Sequence, residues 1–244
     1  MRLCLFALLI FYSSVLFSQE VPEKYNVIWL KVNENPEGSA SVQNELKKLR
    51  KKNPNDPWIF WISGISCNPV TGQQEAEEFF RKAIKINPAF PHAYYSLAMT
   101  LHVTDPSSTS EVIDLLTKSI QYNPYMGFNY LERAKIYLDL GNYDSARRDT
   151  QKARESKEVN PVDTYEIDLE ALWKQNKKEE AFDLARKTDF VNSTSGPSLV
   201  AALVYSEMGE QAKACQIYRN IAEDFSLFDI KLPETIENGL KKCP

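Results

Sequence analysis

The residues of this 244-residue chain best suited to metal or nucleophilic chemistry are two histidines and four cysteines. His92 and His102 stand ten residues apart, about 15 Å of rise on a straight helix, too far to share a metal ion. No HExxH, no CxxC and no Cys/His zinc spacing occurs. Cys67 has no histidine at a telling spacing, and a reactive thiol needs a polarised, accessible setting. The acid pairs Glu77–Glu78 and Glu179–Glu180 read as solvated helix faces. The run "KKLRKK" at 47–52 ends a helical stretch, where positive charge suits the helix dipole. With 8 Gly and no glycine-rich phosphate loop, no cofactor site is expected. The net charge is −4, with both signs spread along the chain and no basic stripe, so nucleic acid is not the expected partner. The expectation is a protein without catalysis, metal or cofactor.

The first residues differ from the rest. "MRLCLFALLIFYSSVLFSQE" places Arg2 before an apolar stretch from Leu3 to Phe17, shorter than the ~20 residues of a spanning helix. A secretory signal peptide over residues 1–18 fits this pattern, with an uncleaved anchor at 3–17 as the alternative. Export, to a periplasmic or extracellular and bacterial setting, is the expectation. It leaves Cys67, Cys215 and Cys243 where an oxidising compartment permits one bridge and one remaining thiol. The sequon "NST" at 192–194 matters only in a eukaryotic secretory host.

The elements that must position any site are marked by prolines. Pro54, Pro88, Pro124, Pro161, Pro197 and Pro233 follow one another at 34, 36, 37, 36 and 36 residues, and the first four follow Asn. Proline stops a helix or opens the next one, and Asn accepts the non-helical backbone before it. Between these marks lie paired amphipathic stretches of helical length. Phe128–Leu140 is one, Gly141 supplies the turn, and a second helix runs from Tyr143 to about Lys157. "SSTSEV" reads as a capping box, Ser108 with Glu111, opening a helix at 109–121. The segment "VIWLKV" at 27–32 is ambiguous between helix and strand.

Small residues recur where a core would normally hold Leu. Tyr130, Ala134 and Tyr137, then Ala146, Thr150 and Ala153, resemble the tetratricopeptide repeat, a helix–turn–helix of 34 residues. Phe60, Gly64, Ala76, Phe80, Ala83 and Pro88 repeat the pattern, with Cys67 in an aromatic slot that suits core packing rather than nucleophilic work. The resemblance covers hairpins at 57–90, 91–126, 127–161, 162–194 and 195–228, preceded by a divergent helical segment at 19–56 and followed by a capping helix at 229–244. It implies an all-α solenoid, a right-handed superhelix of hairpins in which small residues let paired helices approach closely. Arrays of this kind need such a cap to cover the last apolar face.

In such arrays the first helix of each hairpin lines a concave groove. The resemblance therefore places Trp58, Trp61, His92, Tyr95 and Met99 on that wall, continuing through His102, Phe128, Leu131 and Lys135. Further along, the wall becomes acidic at Asp163, Glu166 and Glu170, next to Trp173. Aromatics and Met are common anchors at protein-binding surfaces; the alternative is that the N-terminal helices fold over Trp58 and Trp61. Trp61, Ile65 and Tyr95 stand where a basic clamp for carboxylate tails would need Lys or Asn. The expected function is an exported adaptor holding a peptide or protein partner, the alternative a structural or assembly subunit of a cell-envelope complex. Cys215, on the last second helix, is expected to pair with Cys243 at the end of the cap, unless it is simply a small core residue beside Ala214.

Overall fold

The computed structural model describes residues 21–34, 39–68, 70–156, 158–188, 198–227 and 231–244. The leader expected at 1–18, the sequon at 192–194 and Pro197 lie outside them. Among the described residues every regular element is helical. They fall into two compact units that divide between Asn129 and Tyr130.

The first unit begins with a 3-10 turn at Glu23–Tyr25 and continues through α1 (Asn26–Glu34), α2 (Ala40–Lys52), α3 (Pro57–Ile65), α4 (Gln73–Ile86), α5 (Pro91–Thr104) and α6 (Thr109–Tyr122). The ambiguous 27–32 segment is helix, because Ile28, Trp29 and Val32 form one buried stripe at helical spacing. Asp56 caps α3 by accepting from the Trp58 amide at 3.1 Å, with Pro57 in the first turn. The Asn-Pro marks acquire a mechanism here. Asn87 Oδ1 accepts from the Ala89 amide at 3.0 Å and Asn123 Oδ1 from the Tyr125 amide at 3.1 Å. Each side chain bends its own backbone out of the helix. The register then shifts: α3, α5 and α7 start three residues after Pro54, Pro88 and Pro124, whereas Pro161 is itself the first residue of its helix. The capping box at 108–111 is corrected. Asp105 caps a 3-10 turn at Pro106–Ser108, and the Ser108 hydroxyl donates to the Asp105 carbonyl at 2.7 Å instead of capping α6.

The second unit holds most of α7 (Gly127–Asp139), then α8 (Tyr143–Glu155), α9 (Pro161–Lys174), α10 (Lys178–Lys187), α11 (Leu199–Glu207), α12 (Gln211–Leu227) and α13 (Glu234–Leu240). Its three hairpin turns share one construction. Gly141, Asn176 and Gly209 adopt φ of 73°, 59° and 83°, and the next amide donates back to Tyr137, Leu172 and Tyr205 carbonyls at 2.8, 3.0 and 2.9 Å. This left-handed closure satisfies the orphan carbonyls at a helix end, and a new helix starts two residues later each time. The small residues work as the spacing implies: Ala134, Ala146, Ala153, Ala181, Ala185, Ala202 and Ala214 have no exposed surface.

The third hairpin contains a polar core element. Arg133 on α7 donates from Nε and Nη2 to the Asp149 carboxylate on α8 at 2.7 and 2.9 Å, and Asp149 is buried. Asp168 on α9, also buried, accepts from Arg154 Nη1 at 2.8 Å and from the Thr150 hydroxyl.

Gly64 shows how tightly α3 meets α4: a Cβ there would lie 2.4 Å from Phe80 Cε1. Gly64→Ala is therefore expected to cost about 1–3 kcal/mol by forcing the Phe80 ring aside. The check is urea denaturation followed by circular dichroism; an unchanged midpoint contradicts the close packing.

Candidate interaction surface

The structure redistributes the residues expected on the groove wall. Trp61 has no exposed surface; its ring stacks on Trp29 of α1 at 5.2 Å and its Nε1 donates to Ser96 Oγ at 2.9 Å. The N-terminal segment does pack on this tryptophan. His92 is buried too, its ring 5.1 Å from that of Trp58, 5.4 Å from that of Trp61 and 5.2 Å from that of Phe90. Tyr95 and Met99 belong to a run on α5, residues 92–101, in which every residue is buried. A helix enclosed on all sides has no free face, so the three-to-four spacing read there as a wall is core. Leu131 is buried in the second unit. Trp61, His92, Tyr95, Met99 and Leu131 are accordingly corrected from surface anchors to packed interior. Trp58 and Phe128 remain half-buried, and His102 and Lys135 are exposed.

The sulfur chemistry is divided between the units. Cys67 is a buried free thiol whose Sγ donates to the Ser63 carbonyl at 3.3 Å. Burial pushes its pKa up to about 12, so at neutral pH it is a neutral packing group rather than a nucleophile. Cys215 on α12 and Cys243 just beyond α13 form a disulfide, with Cα atoms 5.6 Å apart. Gln211 Nε2 donates to the Lys242 carbonyl at 3.3 Å and Arg219 Nη2 to the Pro244 carbonyl at 2.9 Å, holding the chain end on the same helix.

The second unit carries the charged part of the expected wall. Lys135 Nζ pairs with Glu132 at 2.8 Å. Desolvation opposes its charge, but Glu132, Asp163 and Glu166 raise its pKa above the ordinary lysine value. Glu166 is raised above the usual carboxylate range, first by burial and then by Asp163 and Glu170, while a hydrogen bond from Ser198 and the charge of Lys135 oppose the shift. Along α9, Glu170 and Trp173 follow one and two turns later. Trp173 borders a cavity of about 470 Å³, shared with Leu203 of α11, Tyr218 of α12 and Thr235, Asn238 and Gly239 of α13. Glu207 on its rim pairs with Lys178. Sequence spacing flagged Trp173 and the acids but not the cavity, because its walls come from two first helices, a second helix and the cap. Among the described residues no group of His, Cys, Asp and Glu could hold a metal ion, and no helix is long and apolar enough to cross a membrane.

A raised carboxylate pKa makes the protonated form the one the fold favours. The Glu166 contribution is thus fully present below about pH 4.5 and is lost as pH rises through its folded value. Glu166→Gln stays neutral throughout. It is expected to melt with the wild type near pH 4 and above it at pH 7.5; a variant melting lower at pH 7.5 contradicts the assignment.

These hairpins define the class: an all-α, tetratricopeptide-repeat-like protein. The tetratricopeptide repeat family profile matches residues 73–90, which are α4 and the turn after it. YrrB, described as a TPR protein with an unusual peptide-binding site, is similar at a TM-score of 0.60 and 17% identity, over 81% of this chain and 97% of that one. A tetratricopeptide repeat protein from Parabacteroides merdae is similar at 0.55 and 16% identity, over 95% and 98% of the two chains. MamA is similar at 0.52 and 19% identity, over 69% and 84%. At such identities the likeness is one of fold. No curated protein matches the chain in sequence.

Proposed function

We propose that this protein is an exported adaptor that binds a peptide or protein partner on the first-helix side of its hairpins and carries out no chemistry of its own. The observation that carries the reading is the surface of the second unit. There a half-buried tryptophan borders an open cavity, and three carboxylates on the same helix and an exposed lysine on α7 come from first helices. Buried aromatic anchors with a polar rim are the anatomy of a protein-binding patch. The peptide-binding site in YrrB's description is consistent with this use of the fold. In the first unit, taken by itself, Trp58 and Phe128 are half-buried and His102 is exposed. Export rests on the leader pattern at 1–18 and is supported by the Cys215–Cys243 bridge, since disulfides persist in oxidising compartments.

Affinity capture from an envelope extract with the full chain tests the adaptor reading. Phe128→Ala should weaken capture of the same partner about tenfold while leaving the helical signal intact. Capture by that variant at wild-type strength would turn attention to the second helices and to an envelope-assembly role.

A further inference from the structure

We propose that the cavity bounded by α9, α11, α12 and α13 seats an apolar side chain of a basic partner segment, whose lysines or arginines lie along Asp163, Glu166 and Glu170. This rests on the adaptor reading and specifies its ligand. The volume of about 470 Å³ lies within the range of ligand pockets and is ample for one large side chain. Trp173, Leu203 and Tyr218 give it an apolar floor, and Ser206, Thr235 and Asn238 supply polar groups for a peptide backbone.

Charge decides the kind of segment. Trp173 lies one turn beyond Glu170 and two beyond Glu166 on α9, so a segment anchored in the cavity and running back along the helix meets carboxylates in succession. Lys135 of α7 lies near Asp163 and Glu166 but is itself paired with Glu132 at 2.8 Å; neither carboxylate has an ion pair within 4 Å among the described residues, and Glu170 is paired with its own-helix neighbour Lys174 at 3.3 Å. Burial and like-charge crowding hold Glu166 above its usual range; an arriving cation relieves that crowding, and an anion worsens it. At the cavity rim Glu207 is already neutralised by Lys178, and Glu234 and Lys242, one of each sign, both border the cavity. The net preference therefore comes from α9. The Cys215–Cys243 bridge fixes the wall that α13 contributes, so the cavity keeps its shape without a ligand.

The probe is a fluorescein-labelled twelve-residue peptide with one central Trp among alternating Lys and Gly, read by fluorescence anisotropy with the full-length oxidised chain. A second probe replaces Trp with Ser and a third replaces every Lys with Glu. The expected result is saturable binding of the first probe and at least tenfold weaker binding of the other two. Thr235→Trp, an exposed position whose new ring fills the cavity, should weaken the first probe at least tenfold, and Asn238→Trp should do the same. Helical signal and thiol count confirm that both variants fold. No binding, equal binding of the three probes, or wild-type binding by both filled variants overturns the proposal. If natural partner capture still depends on Phe128 while the filled variants behave as wild type, the adaptor reading stands and this cavity assignment falls.

Discussion

Asp149→Ala should cost the second unit about 3 kcal/mol. Removing the carboxylate leaves the Arg133 guanidinium, only 14% exposed in its side chain, without its bidentate partner. The guanidinium also lies over the rings of Tyr130 and Tyr137 at 5.9 and 5.8 Å, so it cannot reach water without disturbing α7. Breaking one side of a buried pair is far more damaging than replacing both sides with apolar groups. Arg133→Met combined with Asp149→Leu should therefore recover most of the loss. Thermal and urea melts of the two variants check this. A loss under about 1 kcal/mol for Asp149→Ala, the range of an exposed pair, contradicts the burial argument.

The second large effect belongs to the chain end. Helix α13 has seven residues and buries only Ile236 and Gly239 fully, too little to dock firmly alone. The Cys215–Cys243 bridge closes a segment of 28 residues, and such a link typically contributes ~2–4 kcal/mol. Cys243→Ser should lower the stability of the second unit by that amount and speed amide exchange through α13. Denatured, unreduced protein should show Cys67 as its one reactive thiol within residues 21–244, with Cys4 adding a second where the leader is retained. Cys215 and Cys243 both reacting under those conditions would remove the bridge from the account.

The scaffold was legible because its rules are local. The Asn-Pro marks at 53–54, 87–88, 123–124 and 160–161, the turn at Gly141 and the recurring Ala each follow from backbone geometry or close helix approach, and each lies at a helix boundary or a close helix contact. Asn176 was not read as a turn, although it holds the same left-handed backbone as Gly141 and Gly209, because Asn does so less often and the local sequence is otherwise helical. What failed was the inference from spacing to exposure. Trp61, Tyr95 and Met99 sit at wall spacing, but helical periodicity names a face without saying what covers it. Trp29, from the segment least like a repeat, covers one of them. Charge is the other case: nothing in "ARRDTQKARE" marks Asp149 as an interior partner of Arg133. Nothing within one helix shows that, because the partner lies sixteen residues back on another element. The cavity needs side chains from four helices, an arrangement no single stretch encodes.

The central claim is that a partner docks on the first-helix side. A photo-crosslinking amino acid placed at Lys135 on a first helix, and separately at Lys152 on a second helix, tests it directly; both positions are exposed. The account predicts a partner adduct from position 135 and none from 152. Adducts from 152 with none from 135 would contradict it and assign recognition to the second helices.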